Sequence, residues 1–186
     1  MNGDDTSKKK NPRELIARAK DGDRDAFGEL YAEYFTPIWR YIFYRVRSRE
    51  ETEDIVQNVF IKAFQSVGRF EQQKVDPLAY FYTIARNTLI DHWRKKKDVP
   101  IEHAALIRDN DADPHELVAK METRSIAQKA IAKLEGDQRE VIVLRFINDL
   151  SVRETAHIMG KSEAAVRQMQ LRALKVMRGH FTEENI

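Results

Sequence analysis

Apolar residues recur at intervals of three and four along most of the chain, and this spacing predicts helices rather than strands. Proline and glycine mark where the predicted helices begin and end. The first helix begins at Pro12 and stops near residues 21–23, and the second covers residues 26–36. Pro37 then bends or restarts the chain before an aromatic run. The expected fold class is all-α.

A helix that begins at Ser48 and runs to about residue 66 divides into two faces. Ser48 and Glu51 have the spacing of a capping box. One face is apolar and is expected in the core: Val56, Val59, Phe60, Ala63 and Val67. The opposite face carries Asp54, Gln57, Asn58 and Ile61. The pattern alone is equally consistent with a solvated face and with a docking surface.

The helix that begins at Pro77 also has two faces, and it ends in a basic run before Pro100. Its apolar side holds Leu78, Phe81, Tyr82, Ala85 and Leu89, and the opposite side holds Tyr80, Thr83, Asn87, Asp91 and Arg94. An outward aromatic ring can stack on an unpaired base while an amide reads a base edge. Residues 86–97 carry five cations against Asp91 alone, which exceeds what a helix dipole requires and favours nucleic acid.

The last fifty residues have the pattern of a helix-turn-helix. Ser151 and Glu154 form a capping box, Ala156 permits close helix approach, and Gly160 supplies the turn. Arg153 is placed to hold a phosphate. In the next helix the inward residues are Val166, Met169, Ala173 and Met177. The outward residues, which suit contacts with base edges, are Ala164, Arg167, Gln168, Leu171, Arg172 and Lys175. The alternative is an ordinary helical hairpin within a core.

The distribution of charge suggests how the helices are divided into domains. The chain has 186 residues and a formal net charge of only +2, although 33% of its residues are charged. Residues 98–116 hold six acids and one arginine, as expected of a solvated linker. We therefore expect two small helical domains, at residues 12–97 and 117–180, joined by a flexible acidic linker at 98–116. Residues 1–11 and 181–186 are expected to be tails.

Several classes of protein are excluded by the composition. The chain has no cysteine, which excludes disulfides, thiolate zinc sites and a cysteine nucleophile. Its polar first residues do not form a secretory signal, and no run approaches the roughly 20 apolar residues of a membrane span. We expect a soluble cytoplasmic protein. Without a paired-carboxylate site, metal-spaced histidines or a phosphate-binding glycine loop, we expect no enzyme, no metal and no cofactor.

Three segments carry a resemblance to a known family. Residues 54–60 (DIVQNVF), 82–87 (YTIARN) and 91–94 (DHWR) resemble region two of bacterial sigma factors of the extracytoplasmic-function type, within the sigma-70 superfamily. Residues 134–178 are similar to region four of the same factors. The resemblance covers most of residues 12–178 in the right order. It implies a protein that binds RNA polymerase core and directs promoter-specific transcription initiation.

The resemblance also implies roles for particular residues of the first domain. Asp54, Gln57, Asn58 and Ile61 would dock on the clamp helices of the polymerase beta prime subunit. A larger set would recognise the −10 element and hold it open: Phe70, Lys74, Tyr80, Arg86, Asn87, Asp91, Arg94, Lys95 and Lys96. Tyr80 stands where a tryptophan is usual in the family, and its ring should preserve stacking.

The second domain would read duplex DNA at the −35 element. The residues implied are Arg153, Ala164, Arg167, Gln168, Leu171, Arg172 and Lys175. Gln170 departs from the family pattern, which commonly has an inward leucine there, and this leaves the aim of the helix open. The beta flap, promoter DNA and an anti-sigma factor are the further partners implied, and the acidic linker would thread through the RNA exit region.

Two other classes of protein fit parts of the pattern. A stand-alone transcriptional regulator would use only the helix-turn-helix, and it predicts a dimer on a palindromic site. A structural adaptor whose helices bind a regulatory protein predicts no effect on DNA.

Overall fold

The computed structural model describes residues 11–46, 48–70, 76–97 and 129–183. Within those ranges all regular structure is helical, which confirms the all-α class. The predicted acidic linker, the residues 1–10 of the predicted first tail, residues 184–186 and Lys74 lie outside the described residues.

The first two helices are a short one and a long one, and they pack on each other. Helix α1 is Pro12–Lys20, and the Asn11 side chain accepts a hydrogen bond from the Arg13 amide at 3.0 Å. Helix α2 is Arg24–Val46, so the prediction of a second helix that ends at residue 36 was wrong. Pro37 has no backbone N–H, so it cannot donate the hydrogen bond that a helical residue normally makes to the carbonyl four residues earlier. The helix continues because one buried stripe runs past it on both sides, through Tyr34, Ile38, Tyr41 and Ile42.

The next two helices complete a bundle. Helix α3 is Arg49–Ser66, and the Ser48 hydroxyl accepts from the Glu51 amide at 3.3 Å, as predicted for the cap. A short 3-10 turn, Val67–Arg69, follows. Helix α4 is Pro77–Lys97, and the Asp76 carboxylate accepts from the Leu78 amide at 2.9 Å. Helices α1 to α4 pack on one another and are called the N-terminal bundle below.

The remaining helices form a second group, called the C-terminal helices (residues 129–183). Residues 129–132 are helical, and helix α5 is Gly136–Ile142. Helix α6 is Val152–Met159 and helix α7 is Glu163–Glu183. Both hydrogen bonds of the predicted capping box are present between Ser151 and Glu154, at 2.7 and 3.2 Å. Gly160 ends α6 with φ of 63°, a left-handed conformation that favours glycine.

Between α5 and α6 the backbone forms a π-helical turn, Val143–Ile147. The Asn148 amide donates to the Val143 carbonyl five residues back at 3.0 Å, and the Leu150 amide donates to the Leu144 carbonyl at 3.0 Å. The Asn148 side chain donates to the same Val143 carbonyl at 3.1 Å. These bonds lead the chain from α5 into the cap of α6, and they leave Phe146 exposed.

The N-terminal bundle and the C-terminal helices are in contact. Helix α4 packs against α6, and α2 packs against the π-helical turn. The buried apolar residues of both groups belong to one continuous cluster. In the described residues, the N-terminal bundle and the C-terminal helices therefore pack against each other and share one core.

Candidate nucleic-acid interface

The outer face of α3 is exposed as predicted. Asp54, Gln57, Asn58 and Ile61 all lie on the surface, and Ile61 is 54% exposed. The five residues predicted for the core of this helix are all buried, namely Val56, Val59, Phe60, Ala63 and Val67. The division of faces is confirmed, while the docking role of the outer face stays a prediction.

Aromatic residues that sequence reasoning did not assign border this face. Phe64 is exposed and meets Phe27 of α2 edge-on, with ring centroids 5.0 Å apart. Tyr31 is also exposed and packs against Phe60, at 4.6 Å between centroids. The spacing Ile61 to Phe64 is one helical turn, which could have indicated the wider apolar surface.

Tyr80 does not project freely from α4 as predicted. It is half-buried, and its hydroxyl donates to the Ala63 carbonyl at 2.9 Å and lies 2.8 Å from the Ser66 hydroxyl. Burial raises the pKa of Tyr80, and the Ser66 hydrogen bond opposes that shift. The reason for its orientation is that a tyrosine hydroxyl can satisfy a carbonyl near the end of α3.

Phe70 also lies within the protein. It is 4% exposed, its ring centroid is 4.8 Å from that of Tyr80, and its carbonyl accepts from Lys20 at 2.8 Å. The structure therefore joins Phe70 and Tyr80 into one aromatic pair where α3 and α4 meet. It does not present either ring as an open stacking face in this conformation, so their contact with bases stays a prediction.

The basic end of α4 is exposed in part. Asn87, Arg94 and Lys95 lie on the surface, and Lys96 lies in the last turn of the helix. Asp91 bonds to Lys62 at 3.4 Å and to Arg94 at 3.2 Å. These residues lie within about three turns of one helix and offer both cations and an amide to a nucleic-acid strand.

Arg86 differs from the other cations of α4. It is half-buried, and its Nε donates to the Glu140 carboxylate of α5 at 3.0 Å. In this conformation Arg86 therefore faces the C-terminal helices rather than solvent. Its role in binding DNA stays a prediction.

Helix α7 has the two faces that its sequence predicts. Val166 and Ala173 are fully buried, and Met169 and Met177 are half-buried. All seven residues predicted to contact duplex DNA are exposed: Arg153, Ala164, Arg167, Gln168, Leu171, Arg172 and Lys175. Arg167 is held by Glu163 one turn earlier, at 2.8 Å. The outer face of α7 thus presents guanidinium, amide and apolar groups together.

Gln170, the departure from the family pattern, anchors α7. Its Oε1 accepts from the Nε of Arg145 at 3.2 Å, and Arg145 also donates to the Leu150 carbonyl. Arg145 lies in the π-helical turn, and Leu150 precedes the cap of α6. The Arg145 guanidinium therefore links the π-helical turn, the start of α6 and α7. At Gln170, a hydrogen bond takes the place of the apolar packing that a leucine would provide.

Comparison with known proteins agrees with this geometry. The family description "Sigma-70 region 2" matches residues 30–99, and "Sigma-70, region 4" matches residues 124–177. The sigma factor SigX of Bacillus subtilis is 32% identical over 164 residues, which cover 84% of each chain. The chain belongs to the extracytoplasmic-function family of RNA polymerase sigma factors. As a sigma factor it is a transcription initiation factor and not an enzyme.

Other relatives and solved structures fit the same family. The sigma factor BldN of Streptomyces coelicolor is 35% identical over 167 residues, which are 88% of this chain but only 63% of BldN. CnrH, solved with the cytosolic domain of CnrY, has a TM-score of 0.72 at 24% identity, over 92% of this chain and 97% of CnrH. RpoE of Bartonella quintana, solved with the anti-sigma factor NepR, has a TM-score of 0.66 at 22% identity, over 83% and 97%. These two structures support the fold of this sigma factor.

The described residues of the sigma factor contain no cluster of acidic or histidine side chains that could hold a metal ion. No helix in the described ranges is long and apolar enough to cross a membrane.

Proposed function

We propose that this sigma factor binds RNA polymerase core through the outer face of α3 and reads two promoter elements with two separate domains. The domains are residues 12–97 and 117–180, and the acidic segment 98–116 joins them. The observation that carries the proposal is the exposed outer face of α7 in a chain of the sigma family. The preceding helix, α6, begins with a complete capping box and ends at a left-handed glycine, Gly160.

The outer face of α7 would read the −35 element in the major groove. Arg167 and Gln168 can each form two hydrogen bonds to a base edge, and Leu171, which is 67% exposed, suits a thymine methyl group. Arg172 and Lys175 would add cations beside them, and the exposed Arg153 at the start of α6 would contact a phosphate. The Glu163 contact limits the rotamers of Arg167 before DNA binds.

The N-terminal bundle would recognise the −10 element as a separated strand. Asn87 lies midway along α4 and the exposed cations Arg94 and Lys95 lie near its C-terminal end, while the aromatic pair of Phe70 and Tyr80 lies at its start. Cations hold the strand backbone, and an aromatic ring or an amide favours unpaired bases. Capture of such bases favours strand separation, because the unpaired state gains contacts that the duplex lacks.

The polymerase would contact the outer face of α3. Asp54, Gln57 and Asn58 supply polar groups there, while Ile61 supplies an exposed apolar side chain that needs a partner surface. The beta prime clamp helices are the proposed partner for this face, and the beta flap is the proposed partner for the second domain. An anti-sigma factor is a further proposed partner, since RpoE of Bartonella quintana was solved with the anti-sigma factor NepR. The proposed location is the cytoplasm.

The test uses core polymerase and a template with candidate −10 and −35 elements. Replacing Arg167 and Gln168 with alanine should weaken recognition of the upstream element by about 10- to 100-fold while polymerase binding stays unchanged. Ile61→Asp should instead weaken polymerase binding. Lys133→Ala, which removes an exposed cation of the C-terminal helices outside the predicted set, is the matched control.

The same experiment separates the other two classes of protein. A chain that binds a symmetric duplex as a dimer without polymerase would be a stand-alone regulator. A chain without any effect on transcription in the presence of polymerase would be an adaptor. Either result would overturn the proposed function.

A further inference from the structure

Gln170 is a polar residue on the inner side of α7. Val166, one turn earlier, and Ala173, one turn later, lie on the same side of the helix and are fully buried. Met177, two turns later, is half-buried and also packs against the core. Gln170 is itself half-buried. Because a buried amide without a hydrogen bond is unfavourable, a glutamine on this otherwise apolar stripe needs a polar partner nearby.

Arg145 supplies that partner from outside the helix. It lies in the π-helical turn and is half-buried, and its Nε donates to the Gln170 Oε1 at 3.2 Å. Its Nη1 donates to the carbonyl of Leu150, a buried residue directly before the cap of α6. The guanidinium is planar and its donors have fixed directions. The two bonds therefore set the position of Gln170 relative to the start of α6.

A second polar contact ties α7 near its start. Lys161 lies in the turn before the helix, and its ammonium group is 3.0 Å from the Asp137 carboxylate of α5. Both side chains are partly exposed, and ion pairs of this kind contribute little to stability. Of these two polar contacts, the one at Gln170 is better shielded from water, and it lies next to the residues predicted to contact DNA.

The rotation of α7 about its axis decides where its outer side chains point. A helix with its side chains has a radius of about 5–6 Å, so a rotation of about 10° moves the tip of an outer side chain by about 1 Å. Donor–acceptor distances for N–H donors span only about 0.5 Å. The hydrophobic effect has no preferred direction, whereas a hydrogen bond weakens steeply as its angle falls. A hydrogen bond at position 170 therefore resists a rotation that apolar contact alone would permit.

We propose that Gln170 is a positioning residue for promoter recognition. Through its bond to Arg145 it fixes the rotation of α7, and this rotation selects which base edges Arg167 and Gln168 reach. Gln170 lies on the inner side of α7, so it acts through the backbone of the helix and not by contact with DNA. The proposal rests on the proposed function, because it takes α7 as the helix that reads the upstream element.

A purely structural role for Gln170 would have a different signature. Loss of stability lowers the amount of folded protein and reduces binding to every DNA sequence by one factor. A change in the rotation of α7 instead changes the ratio of affinities between sequences, which is the measure of specificity. The ratio of affinities therefore separates the two roles.

The test measures base preference with the full chain bound to core polymerase. The templates share one −10 element and carry a randomised upstream element, and the bound templates are sequenced. Gln170→Leu removes the acceptor and leaves an apolar side chain. Gln170→Glu keeps a carboxylate oxygen as acceptor at the same place along the side chain. Met177→Leu, on the same side of α7 two turns later, is the matched control for an altered inner side chain.

Gln170→Leu should change the preference between bases at one or more positions of the upstream element by about fivefold or more, as expected when a bidentate base contact is lost or gained. Gln170→Glu should keep the wild-type preference, since the bond to Arg145 can still form. Met177→Leu should also keep it. Thermal unfolding should show that all three variants are folded at the temperature of the assay.

Two results for Gln170→Leu would overturn the proposal: weaker binding to every sequence by one factor, or binding that is the same as that of the wild type. An altered preference in Gln170→Glu or in Met177→Leu would overturn it as well. If circular dichroism shows that Gln170→Leu has lost helix, Gln170→Met takes its place, because methionine is unbranched and flexible and lacks the amide acceptor. The same two results with Gln170→Met would then refute the proposal.

Replacing Arg167 and Gln168 with alanine in the same assay tests the proposed function separately. A base preference that does not depend on these two residues would contradict the reading of the upstream element by α7, and both proposals would fail. A preference that depends on them but not on Gln170 would contradict the positioning role alone.

Discussion

Tyr41 and Tyr82 provide a matched pair for testing how the two halves pack. Both side chains are fully buried, and their rings meet edge-on with centroids 5.4 Å apart. The Tyr41 hydroxyl donates to the Glu140 carboxylate, whereas the Tyr82 hydroxyl has no partner among the described residues. Replacing each tyrosine with phenylalanine removes one hydroxyl and keeps the ring. We expect opposite effects on the free energy of unfolding.

The expected magnitudes follow from these contacts. A hydrogen bond to a charged group contributes about 1.5–3 kcal/mol, so Tyr41→Phe should lower stability by that amount. For a chain of this length, this corresponds to a decrease in Tm of roughly 3–12 °C. Tyr82→Phe removes a buried hydroxyl that loses its hydrogen bonds to water on folding and has no partner among the described residues. It should raise stability by about 1 kcal/mol, or about 2–4 °C in Tm.

Urea unfolding followed by circular dichroism, together with thermal unfolding, gives both quantities. Burial raises the pKa of both phenols well above 10.0, so both are protonated at neutral pH and the comparison is free of charge effects. Changes of the same sign in both variants would refute the reasoning. A destabilised Tyr82→Phe would mean that this hydroxyl has a partner in solution, and an unchanged Tyr41→Phe would mean that the contact with Glu140 does not form.

Three further predictions concern local structure. Ser151→Ala removes the hydroxyl that accepts from the Glu154 amide at 3.2 Å, and urea unfolding should show a loss of about 1 kcal/mol. Gly160→Ala should destabilise by about 1–2 kcal/mol because φ is 63°, whereas Gly28→Ala within α2 should stabilise by up to about 1 kcal/mol in the same assay. The Ala26 amide and Arg18 lower the pKa of Asp23 below its ordinary value of 3.8. Its contribution to stability should therefore be present above that pH and be lost as the pH falls further, and the pH dependence of Asp23→Asn should lack this component.

The sequence predicted features that depend on neighbours along the chain. The two faces of α3 and α7 follow from helical periodicity, and the caps at Ser48 and Ser151 follow from side chains that bond to amides three residues later. The left-handed turn at Gly160 likewise needs only a residue without a Cβ. These features are local, so no knowledge of the tertiary structure was required.

The features that the sequence did not predict depend on contacts between distant segments. Pro37 stays within α2 because a continuous buried stripe outweighs the bond that proline cannot make. Tyr80 turns toward α3 because a carbonyl there accepts its hydroxyl. Glu140 offered one sequence signal, an acid directly before four buried apolar residues, but its arginine partners are 54 and 95 positions away. Helical periodicity contains no information about such pairs.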